Sequence, residues 1–287
     1  MKPNGIKHIQ FASSYLAFSS PITKLRKKIR QLTTTSRRSS FDCYGTLIDW
    51  ETGLQNALHP LVSQLPPAHP FKKDPPTAAM QRLDELASAH QMRTPALPYN
   101  ELLVMSLSDL AHEMGIPLPD SISEPFGNSV GTWRAFPDTV AGLQKLAKHY
   151  KLIILSNVDN ANITATLDKQ LSPAHFDAVY TAQEIGSYKP AHANFKYLFA
   201  HAKADLGVDR QRGELLHVAR SLSADHVPAK ELGLRSVWIS RGGEKKGGEG
   251  VGGGPDKYKD ITAFEWRFDT IDDFANEVER QFAAKTT

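Results

Sequence analysis

Apolar and polar positions change rhythm twice along this chain of 287 residues. Phe41 to Trp50, FDCYGTLIDW, reads as a strand end followed by a turn at Gly45. From residue 51 to 136 the spacing is helical. Leu54, Ala57, Leu58, Leu61, Val62 and Leu65 repeat at about 3.6 residues and predict a helix over 52–65. A cluster of prolines from Pro66 to Pro76 breaks it. Further helices are predicted over 77–90 and 99–114, the latter ended by Gly115, and a weaker one over 120–133. No strand is evident in this block. After Pro137 helices and short apolar runs alternate. Helices over 138–148, 163–171, 194–206, 227–232 and 271–282 separate strands over 152–155, 178–181, 215–219 and 236–239. Apolar runs spaced by helices of this length indicate a doubly wound parallel sheet, hence an α/β fold. The core is read as residues 41–50 and 137–287, with residues 51–136 as an all-helical insert.

One segment breaks the pattern. The residues entering Phe41, Thr33-Thr34-Thr35-Ser36-Arg37-Arg38-Ser39-Ser40, are polar, where a central parallel strand should be a continuous apolar run. Either the first strand is frayed or residues 1–40 are not the native leader. Residues 242–260 open on GGEKKGGEGVGGG, a low-complexity flexible loop after the last core strand that does not introduce a helix, which favours a linker over a phosphate cradle.

Charge changes the picture at the N-terminus only. Nine of the 34 Lys and Arg lie within residues 1–40, which contain no Asp or Glu, so the remaining 25 face 31 acidic residues and that part carries −6. A mildly acidic body argues against nucleic-acid binding. The leader is transit-like, disordered or mispredicted, so the expected compartment is cytoplasmic, or mitochondrial if the leader is a transit peptide. No run is long and apolar enough to span a membrane, and a single cysteine, Cys43, allows no disulfide within the chain.

Ligands bind beyond the carboxyl ends of strands in open parallel sheets. Four such ends carry reactive side chains: Asp42 in FDCYGT, Ser156 in LIILSN, Lys189 in SYKP and Asp225 in ARSLSAD. In this order FDCYGTLIDW, LSNVDN, YKPAHANF and SADHVPAKELGL resemble the haloacid dehalogenase-like superfamily, with its Rossmann-like core, and within it the type II 2-haloacid dehalogenase branch. The resemblance covers about residues 41–240 and makes residues 51–136 the cap domain.

It implies a hydrolase in which Asp42 is the covalent nucleophile, splitting one hard step into two. Lys189 keeps Asp42 ionised, Asp225 positions the hydrolytic water, and Thr46 and Ser156 donate hydroxyl hydrogen bonds; these five form the expected catalytic set. Tyr44, Asn157, Ser221 and Arg220 are the expected substrate-binding residues. Phosphatases of the superfamily carry a second aspartate two residues after the nucleophile, as acid for the leaving alkoxide. Here that residue is Tyr44, whose phenol, with an ordinary pKa of about 10, is a poor acid at neutral pH. They also carry a Gly-Asp-Ser segment before the final aspartate, where this chain has Ala219-Arg220-Ser221. No cofactor is therefore expected, with Asp42 and Asp225 available only for weakly held Mg²⁺. Two departures from the branch stand out. No arginine follows Trp50 until Arg82, although the branch receives the departing halide with one from the start of the cap, and Leu222 and Ser223 stand where it has an asparagine.

The expected activity is hydrolysis of a small L-2-haloacid, or a related acid, at carbon. A phosphatase acting on a small phosphorylated metabolite and a non-catalytic binding protein on the same fold are the alternatives. The expected partner is the small acid alone, with neither nucleic acid nor membrane, and a homodimer is left open. His217 is read as a satisfied core histidine and Cys43 as packing.

Overall fold

The computed structural model describes Leu32, residues 38–242 and residues 255–286. The basic leader, apart from Leu32 and residues 38–40, and most of the glycine-rich loop lie outside the described residues. Six parallel strands form one sheet: β1 (Arg38–Phe41), β2 (Lys151–Ser156), β3 (Ala178–Thr181), β4 (Leu215–Ala219), β5 (Arg235–Ile239) and β6 (Trp266–Phe268). Their order is β3-β2-β1-β4-β5-β6, which puts the reversal of winding beside β1, at the end where Asp42 emerges.

Between β1 and β2 the chain leaves the sheet for α1 (Trp50–Val62), α2 (Thr77–Arg93), α3 (Tyr99–Met114) and α4 (Asp120–Gly127). It returns through a 3₁₀ turn at Val130–Thr132 to α5 (Thr139–Ala147). The way out and the way back run side by side, with Phe136 N donating to Leu47 O at 3.0 Å and Asp49 N to Arg134 O at 2.8 Å. The cap therefore stands on a short two-stranded stalk that starts directly above the nucleophile's turn. The α3 bounds match the expectation, as do β3 and β4. The fourth cap helix stops at Gly127 instead of 133, because Asn162 ties the next residues down: its Oδ1 accepts from Gly131 N at 2.9 Å and its Nδ2 donates to Gly127 O at 3.2 Å.

The other helices are α6 (Asn160–Thr166), continued by a wider turn at Leu167–Leu171, α7 (Ala182–Ile185), α8 (His192–Leu206), α9 (Val227–Glu231) and α10 (Ile271–Thr286). The sequence pattern does not anticipate α7 or β6, one four residues long and the other three. Residues 255–258 of the expected flexible loop form a 3₁₀ turn. Among the described residues no helix is long and apolar enough to cross a membrane.

The polar first strand is not frayed from Arg38 onward. It pairs with both β2 and β4, aligning Ser39 with Leu152 and Leu216, and Ser40 with Ile153 and His217. Ser39 and Ser40 are fully buried. Ser40 Oγ lies 2.9 Å from His217 Nδ1, whereas Ser39 Oγ has no partner among the described residues, a local cost of about 1–3 kcal/mol.

A second buried histidine staples β4 to β5. His226 Nε2 lies 2.9 Å from Ala219 O and Nδ1 lies 2.9 Å from Ser236 Oγ. Burial lowers its pKa from 6.5 to about 4, the Ala219 carbonyl opposing. The unfolded chain therefore binds a proton that the folded chain refuses, so this contribution is whole at neutral pH and is lost as the pH falls towards 4. Urea unfolding should show about 2 kcal/mol less stability at pH 5 than at pH 7 from this group, a loss absent from the His226→Gln variant.

Candidate active site

Asp42 is the first residue beyond β1. The chain then curls over the Cys43 carbonyl, which accepts from Leu47 N at 2.7 Å and Ile48 N at 3.1 Å. Gly45 makes the curl with φ +92°, and a Cβ there would lie 2.9 Å from Trp50 Cδ1, so only glycine fits. The curl brings Thr46 back onto the nucleophile: Thr46 Oγ1 donates to Asp42 Oδ2 at 2.7 Å and accepts from Arg220 N at 2.9 Å.

Lys189 arrives from the loop after α7. Its Nζ donates to Asp42 Oδ1 at 2.8 Å, Asp225 Oδ1 at 2.7 Å and Leu155 O at 3.0 Å, and its side chain is 1% exposed. One ammonium thus serves two buried carboxylates, and the two differ. Burial pushes the Asp42 carboxyl up and the Asp225 charge adds to this, outweighing Lys189 and Thr46. Burial also disfavours the Asp225 carboxylate, but Lys189 and the His217 N–H overcome it and hold that group below the ordinary range. Burial alone would lower the Lys189 pKa; its two carboxylates raise it, so it stays an ammonium.

Asp42, Thr46, Lys189 and Asp225 therefore meet in one connected cluster. Ser156, at the end of β2 and 2% exposed, follows the Leu155 carbonyl held by Lys189, and its Oγ has no partner among the described residues. The expected substrate-binding residues are placed differently. Asn157 spends both ends of its amide on the Lys189 backbone, accepting from Lys189 N at 2.7 Å and donating to Lys189 O at 2.9 Å. It positions the lysine. Ser221 Oγ caps the next turn by accepting from Ala224 N at 3.0 Å. Arg220 turns to the base of the cap, where Nη2 meets Glu51 Oε1 at 3.0 Å. The Tyr44 hydroxyl is 2.8 Å from Thr166 Oγ1, and its ring meets Trp133 edge-on at 6.0 Å. Burial raises its pKa well above the ordinary value, so it is an even poorer proton donor than a free phenol. Burial beside Asp42 likewise raises the Cys43 thiol, an inert packing group.

Two residues of this region lie outside the expected set. His217 joins the cluster through Nε2, 2.9 Å from Asp225 Oδ1. Arg241, with φ +52°, anchors the Thr46 carbonyl through Nε at 3.0 Å and pairs with Asp138 at 2.6 Å. It follows the end of β5, and its place at a fifth strand end was the available signal.

The donor set does not fit a tightly held Mg²⁺. Lys189 Nζ lies between the two carboxylates that would share the ion, and the remaining expected position carries Arg220. Among the described residues no three His, Cys, Asp or Glu side chains gather as ligands.

The model of the haloacid dehalogenase-like hydrolase family matches residues 40–218 of the chain. The chain belongs to this family of hydrolases. Solved structures agree on the fold. An L-2-haloacid dehalogenase is 25% identical, with a TM-score of 0.66 over 87% of this chain and 99% of its own. The L-2-haloacid dehalogenase from Xanthobacter autotrophicus is 18% identical, with a TM-score of 0.66 over 85% and 99%. The HAD-hydrolase YfnB from Bacillus subtilis, solved bound to magnesium, is 15% identical, with a TM-score of 0.63 over 86% and 100%. No curated protein sequence matches the chain. Family membership accounts for the α/β core and the inserted cap.

Proposed function

We propose that this hydrolase acts at carbon, converting a small L-2-haloacid or a related acid through an aspartyl ester on Asp42 without a metal cofactor. The observation that carries this reading is Tyr44. The second residue after the nucleophile is a half-buried phenol held by Thr166, which is unsuited to protonating a leaving alkoxide. A halide departs without a proton, so the chemistry at carbon needs no such acid.

In the first step an Asp42 carboxylate oxygen attacks C2; the C–O bond forms as the carbon–halogen bond breaks and the halide leaves with the electron pair. Lys189 keeps Asp42 charged for the attack, and the unpartnered Ser156 hydroxyl is the donor for the substrate carboxylate. In the second step Asp225 takes a proton from water, the resulting hydroxide adds to Asp42 Cγ, and the acyl C–O bond breaks. The 2-hydroxy acid leaves with the proton taken by Asp225, and Asp42, left as the carboxylic acid, returns to the carboxylate by releasing its proton to solvent.

A single turnover in ¹⁸O-water is expected to place the label in the Asp42 peptide, read by mass spectrometry. Label found only in the product acid would rule out the ester. Turnover of p-nitrophenyl phosphate that strictly requires Mg²⁺ would favour a phosphatase.

A further inference from the structure

His217 takes no part in the steps above, yet it is fully buried and bonded on both sides of its ring. Nε2 lies 2.9 Å from Asp225 Oδ1 and Nδ1 lies 2.9 Å from Ser40 Oγ. A carboxylate oxygen only accepts, so Nε2 carries a proton and donates it. Asp225 Oδ1 thus receives two donors, Lys189 Nζ at 2.7 Å and His217 Nε2 at 2.9 Å. The other oxygen, Oδ2, is buried and has no hydrogen-bond partner among the described residues. A carboxylate held twice through one oxygen cannot turn about its Cβ–Cγ bond without breaking both bonds. Lys189 alone would not impose this, because it also serves Asp42.

The sequence builds the arrangement into the sheet. Ser40 and His217 are register partners on β1 and β4, so their side chains share one face. Phe195 meets the His217 ring edge-on at 5.6 Å and closes its remaining side. The serine that makes β1 look unlike a core strand is the anchor of the histidine.

We infer that His217, held by Ser40, is a positioning residue that fixes Asp225 with Oδ2 free to act as the base in ester hydrolysis. The inference rests on the aspartyl-ester reading and separates the two half-reactions. Attack on C2 needs Asp42 and Lys189; only the second step needs Asp225 aimed at water. Loss of His217 therefore slows hydrolysis of the ester and leaves its formation intact.

The test uses the full chain with L-2-chloropropionate. Rapid-quench halide release is read together with the mass of the Asp42 peptide. His217→Leu is expected to release one equivalent of halide per protein at the wild-type rate. It then turns over roughly 10- to 100-fold more slowly, with the ester accumulated on Asp42, as expected for a misplaced base. His217→Gln, which keeps an N–H donor, is expected to recover most of the loss. Ser40→Ala, a smaller change, is expected to show the same accumulation to a lesser degree, and it carries the test with His217→Gln if the leucine variant does not fold. Equal slowing of the halide burst and of later turnover in these variants would mean a merely structural role and would overturn the inference. Wild-type protein that releases halide and labels Asp42, alongside variants that hydrolyse the ester normally, would overturn the positioning role alone. Wild-type protein that does neither would remove the ester reading and this inference together.

Discussion

Replacing Asp42 by asparagine is expected to reduce haloacid turnover by about 10⁴-fold or more, with the stability of the fold changed by less than about 1 kcal/mol. The amide oxygen is neutral and lacks the electron density to displace a halide, and no neighbouring group can substitute for it. Cys43 is the nearest alternative nucleophile, but its thiol is buried and its pKa is raised, so it is not a thiolate at neutral pH. The stability expectation follows from the electrostatics. Burial and the Asp225 charge work against an ionised Asp42, to the point that its pKa is raised despite Lys189. An amide removes that unfavourable charge. Its oxygen still accepts from Lys189 Nζ, and its NH₂ can donate to Thr46 Oγ1. Steady-state halide release and thermal unfolding of the same preparation check both halves. Activity within 100-fold of the wild type would show that another group attacks the substrate.

The contrast between an indispensable and a thermodynamically awkward Asp42 explains what could be read from the sequence. Asp42 and Ser156 stand at strand ends, which are visible as apolar runs that stop at a polar residue. Lys189 lies eight residues beyond β3, after α7, and Asp225 six residues beyond β4, in the turn Leu222–His226, so the expected strand-end placement holds for only two of the four. The topology then brings such residues together whatever the details of packing. Partner choice is not encoded that way. Nothing in LSNVDN distinguishes an Asn157 that faces a ligand from one that clamps the Lys189 backbone, because the choice is made by a loop 32 residues away. Arg220 likewise follows β4 as a free cation would, and only the folded cap start brings Glu51 to it. The most misleading segment was β1. Apolarity is a good guide to a central strand when side chains pack on both faces. It fails where a buried polar side chain has its own partner, as Ser40 has in His217. The pair is legible only after the register of β1 and β4 is known, so neither residue alone gave a sign of the other. The short elements, α7 and β6, fall below the length at which periodicity carries information.

Replacing Lys189 by methionine is expected to destabilise the protein by about 3–5 kcal/mol at neutral pH and to abolish measurable turnover. Among the described residues the ammonium is the only lysine or arginine group bonded directly to either carboxylate of the cluster, and both carboxylates are nearly inaccessible to water, with side chains 10% and 1% exposed. Methionine fills a similar volume, so the expected loss is electrostatic and not a cavity effect. Without the ammonium, Asp42 and Asp225 repel each other in a medium that solvates neither. Their pKa values in the folded variant must then rise above those of the unfolded chain. A group shifted in that direction contributes stability that is present at low pH and lost as the pH rises through its folded-state value. The deficit relative to the wild type is therefore largest at pH 7.5 and shrinks as the pH is lowered towards 5, opposite in sign to the contribution of His226. Urea unfolding of both proteins at these two pH values measures it. Adding Asp42→Asn to Lys189→Met removes one of the stranded charges, so the double variant is expected to be more stable than the lysine variant alone, a coupling that a double-mutant cycle reads directly. A deficit that does not change with pH, or a double variant no more stable than Lys189→Met, would mean that Lys189 holds the site by packing and hydrogen bonding to the Leu155 carbonyl instead of by its charge.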